Sequence, residues 1–208
     1  MDQIQEARRV ISQYGLELYQ RNLTDASGGN ISVRIADKIV MTPKKAGAAW
    51  HWNISPDQVL VVDLKGNKLD GYGDVSREAK VHLALLNEFY PSGAVVMHTH
   101  PRNVLVFCAA EKPMPSVLNA TSAFGVIELT KDAASGTDDL ASVVADEIRK
   151  KGGVSIAKAA ACIAPRHGLF VLAQDLHDAF EVTERIDTNA YCLLMGKGLG
   201  GNITIGSC

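Results

Sequence analysis

The 208-residue chain has no long apolar run. Its longest, Val104 to Ala110, falls far short of the roughly 18 residues that cross a bilayer, so no membrane partner is expected. Neither sign of charge dominates: 21 Lys and Arg stand against 23 Asp and Glu, a formal net charge of −2. No basic face is implied, and nucleic acid is not an expected partner. Cysteine is scarce. Cys108, Cys162, Cys192 and Cys208 form no C-x-x-C pair. The charged start, MDQIQEARR, carries no signal-peptide pattern, so the four read as free thiols and a cytoplasmic location is expected. Internal repeats and low-complexity segments are missing. What remains is an ordinary globular composition, 47% hydrophobic, at a length that suits one domain.

Periodicity divides the chain into elements. Residues 2–22 carry apolar side chains at helical spacing. ISVRI (31–35) and KIVMT (38–42) read as two strands joined by a tight turn, and VLVVDL (59–64) as another. SREAKVHLALLNEFY (76–90) reads as an amphipathic helix with Ser76 at its N-cap. Ala94 to Met97 reads as a short buried strand running into His98 and His100, with a helix over 103–110 after it. TDDLASVVADEIRKKGG (137–153) has a helix start, a basic end and a glycine stop. ACIAP (161–165) and GLFVLA (168–173) are strands, and 176–196 is a long helix. The Gly-rich tail, 197–208, is expected to be flexible or docked on a neighbour. Strands joined by hairpins and flanked by helices, without strict alternation, indicate an α/β fold with a mixed sheet.

Histidine is the next scarcity, with six in the chain, yet two sit one residue apart in AVVMHTHPRN. On an extended strand, His98 and His100 share a face about 7 Å apart. Two satisfied strand-end histidines would look the same. A zinc site needs a third ligand, and His167, at a strand margin in PRHGLF, is the candidate. His51, His82 and His177 are weaker ones. Three histidines with an open fourth position suit a catalytic metal rather than a structural one. Glu78 lies one helical turn before His82. It is either a first-turn carboxylate favoured by the helix dipole or a partly buried group near a metal that ligates it or moves protons. SGGN, residues 27–30, runs from helix to strand. It is therefore not a dinucleotide fingerprint, and it is either a plain turn or a nest of N–H groups for an anion. Lys44 and Lys45 of TPKK, with Arg77, are either solvated surface or a grip on a phosphate or carboxylate.

In combination and order, SGGNISVR, MTP, S-x-E before HLALL, AVVMHTH and the late RHGLF resemble the class II aldolase/adducin family over about residues 2–196. The resemblance implies a single three-layer α/β/α domain with a central, mainly antiparallel sheet, residues 1–208. It implies His98, His100 and His167 as ligands of one divalent ion per chain. Zn²⁺ is the expected ion, and Mn²⁺, Fe²⁺ or Co²⁺ would also suit the site. Glu78 is implied as a carboxylate that binds the metal at rest and then serves as acid and base. Ser27, Gly28, Gly29, Asn30, Thr42, Lys44, Ser76 and Arg77 fall at or beside the positions that hold a substrate phosphate. The implied reaction is aldol cleavage of a small phosphorylated ketose to dihydroxyacetone phosphate and an aldehyde through a metal-stabilised enediolate. A sugar-phosphate 4-epimerase or a sugar-acid-phosphate decarboxylase is the alternative. Homotetramers with metal sites near subunit interfaces are implied as well. An adducin-like interaction domain would have lost metal ligands, and all are kept here.

The departures from the family pattern are specific. Lys44–Lys45 replaces a Thr-Gly pair of the fuculose-phosphate aldolases, and Arg77 replaces a serine. Ala46 to Ile54, with Trp50 and Trp52, is longer than usual. Residues 101–166 contain no tyrosine to match the aldolases' proton donor, with Asn119 near its place. The epimerase's catalytic aspartate has no clear match either.

Overall fold

The computed structural model describes residues 2–152, 159–196 and 198. Almost all of the 197–208 tail lies outside them. One eight-stranded sheet, in the order β4-β3-β2-β1-β5-β8-β7-β6, organises the chain. The strands are β1 Asn30–Ile35, β2 Lys38–Met41, β3 Leu60–Asp63, β4 Lys68–Asp70, β5 Val95–Thr99, β6 Glu128–Leu129, β7 Ala159–Ala164 and β8 Gly168–Ala173. Every neighbouring pair is antiparallel except β6 and β7. The helices are α1 Gln3–Gln20, α2 Ala46–Trp50, α3 Ala79–Phe89, α4 Arg102–Ala110, α5 Asp138–Lys150 and α6 Leu176–Gly196. None is long and apolar enough to cross a membrane.

Alternation along the strands builds the two apolar layers. Val95 and Met97 of β5 join Ile11 and Leu18 of α1, Val104 of α4 and Ile186 of α6 on one face. Val96 joins Val81 and Leu85 of α3 and Leu140 and Val144 of α5 on the other. This is the α/β/α sandwich with a mainly antiparallel sheet that the family resemblance implies. Removing a Leu or Val of either layer from water is worth roughly 1.5–3 kcal/mol.

Helix α3 starts later than expected. Its N-cap is Glu78, not Ser76. Residues 76–78 form a turn in which the Ser76 hydroxyl accepts the Glu78 N–H at 3.3 Å and the Ser76 carbonyl accepts the Ala79 N–H at 3.1 Å. Ser76 thus fixes the residue before the helix rather than the helix itself. Three short elements had no periodic signal: the exposed edge strand β4, the two-residue β6 and the five-residue α2.

Candidate metal and substrate site

The centre of the sheet carries the chemistry. On β5, His98 faces Asn30 of β1 on one side and Phe170 of β8 on the other. Its ring stacks on Phe170, centroids 4.1 Å apart and 11° from parallel. Its Nδ1–H donates to the Leu169 carbonyl at 2.9 Å, which leaves Nε2 with its lone pair facing outward. His100 lies just past the end of β5, and His167 in the turn from β7 to β8. One nitrogen from each of the three lies within 4.8 Å of the others.

Glu78 closes the fourth side. Its Oε2 lies 3.2 Å from His98 Nε2 and its Oε1 2.9 Å from His167 Nε2. Burial raises the pKa of this carboxyl, but His167 and His98 beside it outweigh burial and hold it well below the carboxylate range. Burial, with His98 alongside, lowers His100 to about 4, so its imidazole is neutral at physiological pH.

The donor set fits a divalent cation. His98 Nε2 and His100 Nε2 are 3.3 Å apart, and two nitrogens on a tetrahedral zinc at 2.0–2.1 Å stand roughly 3.3 Å apart. Lone pairs and carboxylate oxygens that converge this closely repel unless a cation sits among them. Glycine makes the convergence possible. A Cβ on Gly28 would come within 2.1 Å of His100 Cε1, and one on Gly168 within 2.7 Å of His100 Cδ2 and 3.1 Å of His98 Cε1.

A cavity of about 360 Å³ opens over the cluster. Of the residues singled out in the sequence, Ser27, Gly28, Gly29, Asn30, Lys44, Ser76, Arg77, Glu78, His100 and His167 line it. His98 lies beneath, fully buried. Thr42 does not line the cavity. It is buried in the sheet, where its hydroxyl accepts the Ile31 N–H at 3.1 Å. His51 is exposed beside Tyr19, and His177 meets Tyr14 on the far side of the sheet's central strands; neither reaches the site. Asn119 opens an exposed turn and is not on the cavity wall.

The SGGN nest already has an anion. The N–H groups of Ser27 and Gly28 donate to Asp25 Oδ1 at 2.8 and 3.0 Å, and the Ser27 hydroxyl does so at 2.8 Å. The other oxygen, Oδ2, takes His100 Nδ1 at 3.3 Å. Asp25 is therefore the carboxylate that orients a candidate ligand, an arrangement that fixes the ring tautomer and raises ligand basicity. Sequence reasoning missed it, although an Asp two residues before Ser-Gly is an Asx-turn pattern. It also missed Ser135, whose hydroxyl donates to Glu78 Oε1 at 2.6 Å. The segment 44–54 does shape the pocket: Lys44, Lys45, Ala46 and Gly47 line one wall, and the buried Trp52 holds that wall by donating its indole N–H to the Asp25 carbonyl at 2.8 Å.

Comparisons with known proteins agree with this geometry. The family model for the Class II Aldolase and Adducin N-terminal domain matches residues 9–194. An L-fuculose phosphate aldolase of Haemophilus influenzae is 28% identical over 192 residues, covering 88% of this chain and 81% of its own. An L-ribulose-5-phosphate 4-epimerase of Salmonella paratyphi B is 25% identical, covering 85% of this chain and 78% of its own. A 3-oxo-tetronate 4-phosphate decarboxylase of Haemophilus influenzae is also 25% identical, at 88% and 84%. Among solved structures, an L-fuculose 1-phosphate aldolase superposes with a TM-score of 0.83 at 22% identity, covering 97% of this chain and 91% of its own, which establishes the shared fold. With the family model spanning nearly its whole length, this chain belongs to the class II aldolase/adducin family.

Proposed function

We propose that the chain is a divalent-metal-dependent aldolase that cleaves a small phosphorylated ketose to dihydroxyacetone phosphate and an aldehyde. The observation that carries this reading is the convergence of His98, His100 and His167 under Glu78, at the floor of a cavity with cationic walls. The three histidines would hold the ion. Zn²⁺ is the proposed one, and Mn²⁺, Fe²⁺ and Co²⁺ also take imidazole-rich open sites. A bound divalent ion supplies a Lewis acid that polarises a carbonyl and offsets charge that develops as a C–C bond breaks. The chain's own part is positional and acid–base. Glu78 takes or returns the proton at the carbon next to the carbonyl. His98 and His167 aim its two oxygens, and Asn30, Lys44 and Ser76 hold the phosphate end.

The second reading is a decarboxylase of a sugar-acid phosphate, favoured by the extra cations Lys45 and Arg77 on the wall. A 4-epimerase could use the same metal and carboxylate, and relatives of all three kinds support keeping the three reactions together. The decisive experiment is a retro-aldol screen over phosphorylated ketoses and sugar acids, reading release of dihydroxyacetone phosphate, CO₂ or epimer. Glu78→Gln keeps the shape but accepts no proton. It should retain metal and lower turnover by about 10²–10⁴. Full activity in that variant would remove Glu78 from the chemistry.

The family resemblance also supports a homotetramer of single-domain chains acting in the cytoplasm. Val106 on α4 and Tyr191 and Met195 on α6 leave large apolar side chains exposed, as an interface would use. A monomer by light scattering at micromolar concentration would overturn the assembly.

A further inference from the structure

Two residues of opposite charge stand where the backbone calls for glycine. Glu111 ends α4 in the left-handed region, at φ 52° and ψ 47°, a conformation that glycine or asparagine usually supplies at a helix end. Arg166 sits at φ 53° in the turn from β7 to β8. That turn runs Ala164, Pro165, Arg166, His167 and is closed by the His167 N–H on the Ala164 carbonyl at 3.2 Å. Its third position, with a proline before it and a positive φ, also favours glycine or asparagine. A side chain with a Cβ is strained in both places and persists only where its surroundings hold it.

Here the two residues hold each other. The Arg166 guanidinium donates through Nη1 to Glu111 Oε1 and through Nη2 to Asp132 Oδ2 at 2.5 Å. Their backbones converge as well, since the Cys108 carbonyl accepts the Glu111 N–H at 3.2 Å and the Arg166 N–H at 2.9 Å. All three charged residues are exposed, and exposed ion pairs contribute little to stability. Fold stability is therefore a poor reason for keeping two strained residues. Their placement gives a better one. Arg166 is the neighbour of His167. Glu111 closes the helix whose first residue, Arg102, lies two residues after His100. Asp132 lies three residues before Ser135, whose hydroxyl holds Glu78. One guanidinium fork thus joins the supports of two candidate metal ligands to the support of Glu78.

Resting on the metal reading above, we infer that Arg166 is a positioning residue: with Glu111 and Asp132 it locks the turn that presents His167. The strain is tolerated because the lock preorganises the metal site. A planar fork can engage two carboxylates at once in fixed directions, which a lysine ammonium does not do. Arg166 does not line the cavity, so it acts through His167 and not on a substrate.

The test sets fold stability against metal affinity in the full-length protein. Stability is read as the thermal midpoint of the metal-free protein, and affinity as competition for Zn²⁺ with a chelator. Arg166→Gly relieves the strain and removes the fork. Its midpoint should fall by no more than about 4 °C, or rise, while Zn²⁺ should bind at least about tenfold more weakly. Glu111→Gln combined with Asp132→Asn leaves the turn's own sequence intact and removes only the two charges. That double variant should still lose at least about threefold in Zn²⁺ affinity. A smaller loss in Arg166→Gly would overturn the inference and leave the metal reading standing. A larger drop in midpoint would overturn it too, because Arg166 would then serve the fold. A double variant within threefold of wild type would do the same, assigning the loss to the flexibility of glycine. Wild-type protein that holds no Zn²⁺ would sink both readings.

Discussion

The Ser135 hydroxyl donates to Glu78 Oε1 at 2.6 Å, tying the loop before α5 to the turn that precedes α3. Among the described residues, every other side-chain partner of Glu78 is a candidate metal ligand. A cation that draws His98 and His167 to itself weakens those two contacts and leaves the serine as the carboxylate's remaining anchor. Losing one hydrogen bond to a charged group costs about 1.5–3 kcal/mol. Ser135→Ala should therefore lower kcat by about tenfold or more with metal content unchanged, and Ser135→Thr should restore most of it. An alanine variant with wild-type kcat would reduce Ser135 to a loop residue.

Gly28 is the tightest steric constraint at the site. An added methyl would lie 2.1 Å from His100 Cε1, so either the loop or the imidazole must move. The ring moves more readily, because Gly28 is tethered through its N–H to Asp25. Gly28→Ala should weaken metal binding by at least about tenfold, the scale of disturbing a ligand's orientation. Chelator competition would read this, and circular dichroism should show an intact fold. Unchanged affinity would mean that His100 is not a ligand.

Much of this was legible from periodicity and composition. The pattern of α1, α5 and α6 and the hairpin strands β1 and β2 gives each element a buried face, and the observed boundaries fall within two residues of those expected at nearly every end. His98, His100, His167 and Glu78 were readable because histidines a residue apart on a strand end, and a carboxylate at a helix start, are patterns in the chain itself. What escaped notice lacks such a pattern. Strand β4 is wholly exposed, so no alternation marks it. Ser135 lies 57 residues from Glu78 and meets it only through the packing of α5 on α3. Thr42 is the opposite case. Adjacent to Pro43 and Lys44, it reads as part of the pocket, yet it is buried just past the end of β2 with its hydroxyl on the Ile31 N–H.

His82 makes acid stability testable. It is fully buried on α3, with Nδ1 2.6 Å from the Ser32 hydroxyl and Nε2 without a partner among the described residues. Burial, with His98 nearby, pushes its pKa down to about 3, against about 6.5 in an unfolded chain. As pH falls below 6.5 the unfolded state takes the proton first, so the stability present above that pH is lost progressively towards 3. The slope contributed reaches about 1.4 kcal/mol per pH unit. His82→Asn keeps a polar group near Ser32 but does not titrate. Urea denaturation between pH 4 and 6.5 should show a shallower loss for the variant, and parallel curves would place the His82 pKa near its unfolded value.

Asp25 supplies the sharpest separation of orientation from ligation. Its Oδ1 accepts three donors from Ser27 and Gly28 while Oδ2 faces His100 Nδ1. Ser27 hydrogen bonds hold the carboxyl ionised against the opposing effect of burial. Asp25→Asn has one oxygen for two sides of this network. If the oxygen stays with the loop, the amide N–H₂ points at His100 and disfavours the tautomer whose Nε2 is free for a metal. If it turns to His100, the loop loses its anchor and Gly28 is free to shift. Either way the metal should bind about 10–100-fold more weakly, and the loss should exceed that of Ser135→Ala, which touches no histidine. Chelator competition across the two variants checks the order. Metal affinity in Asp25→Asn equal to wild type would mean that ring packing against His98 and His167, at centroid distances of 5.0 and 5.9 Å, orients His100 by itself.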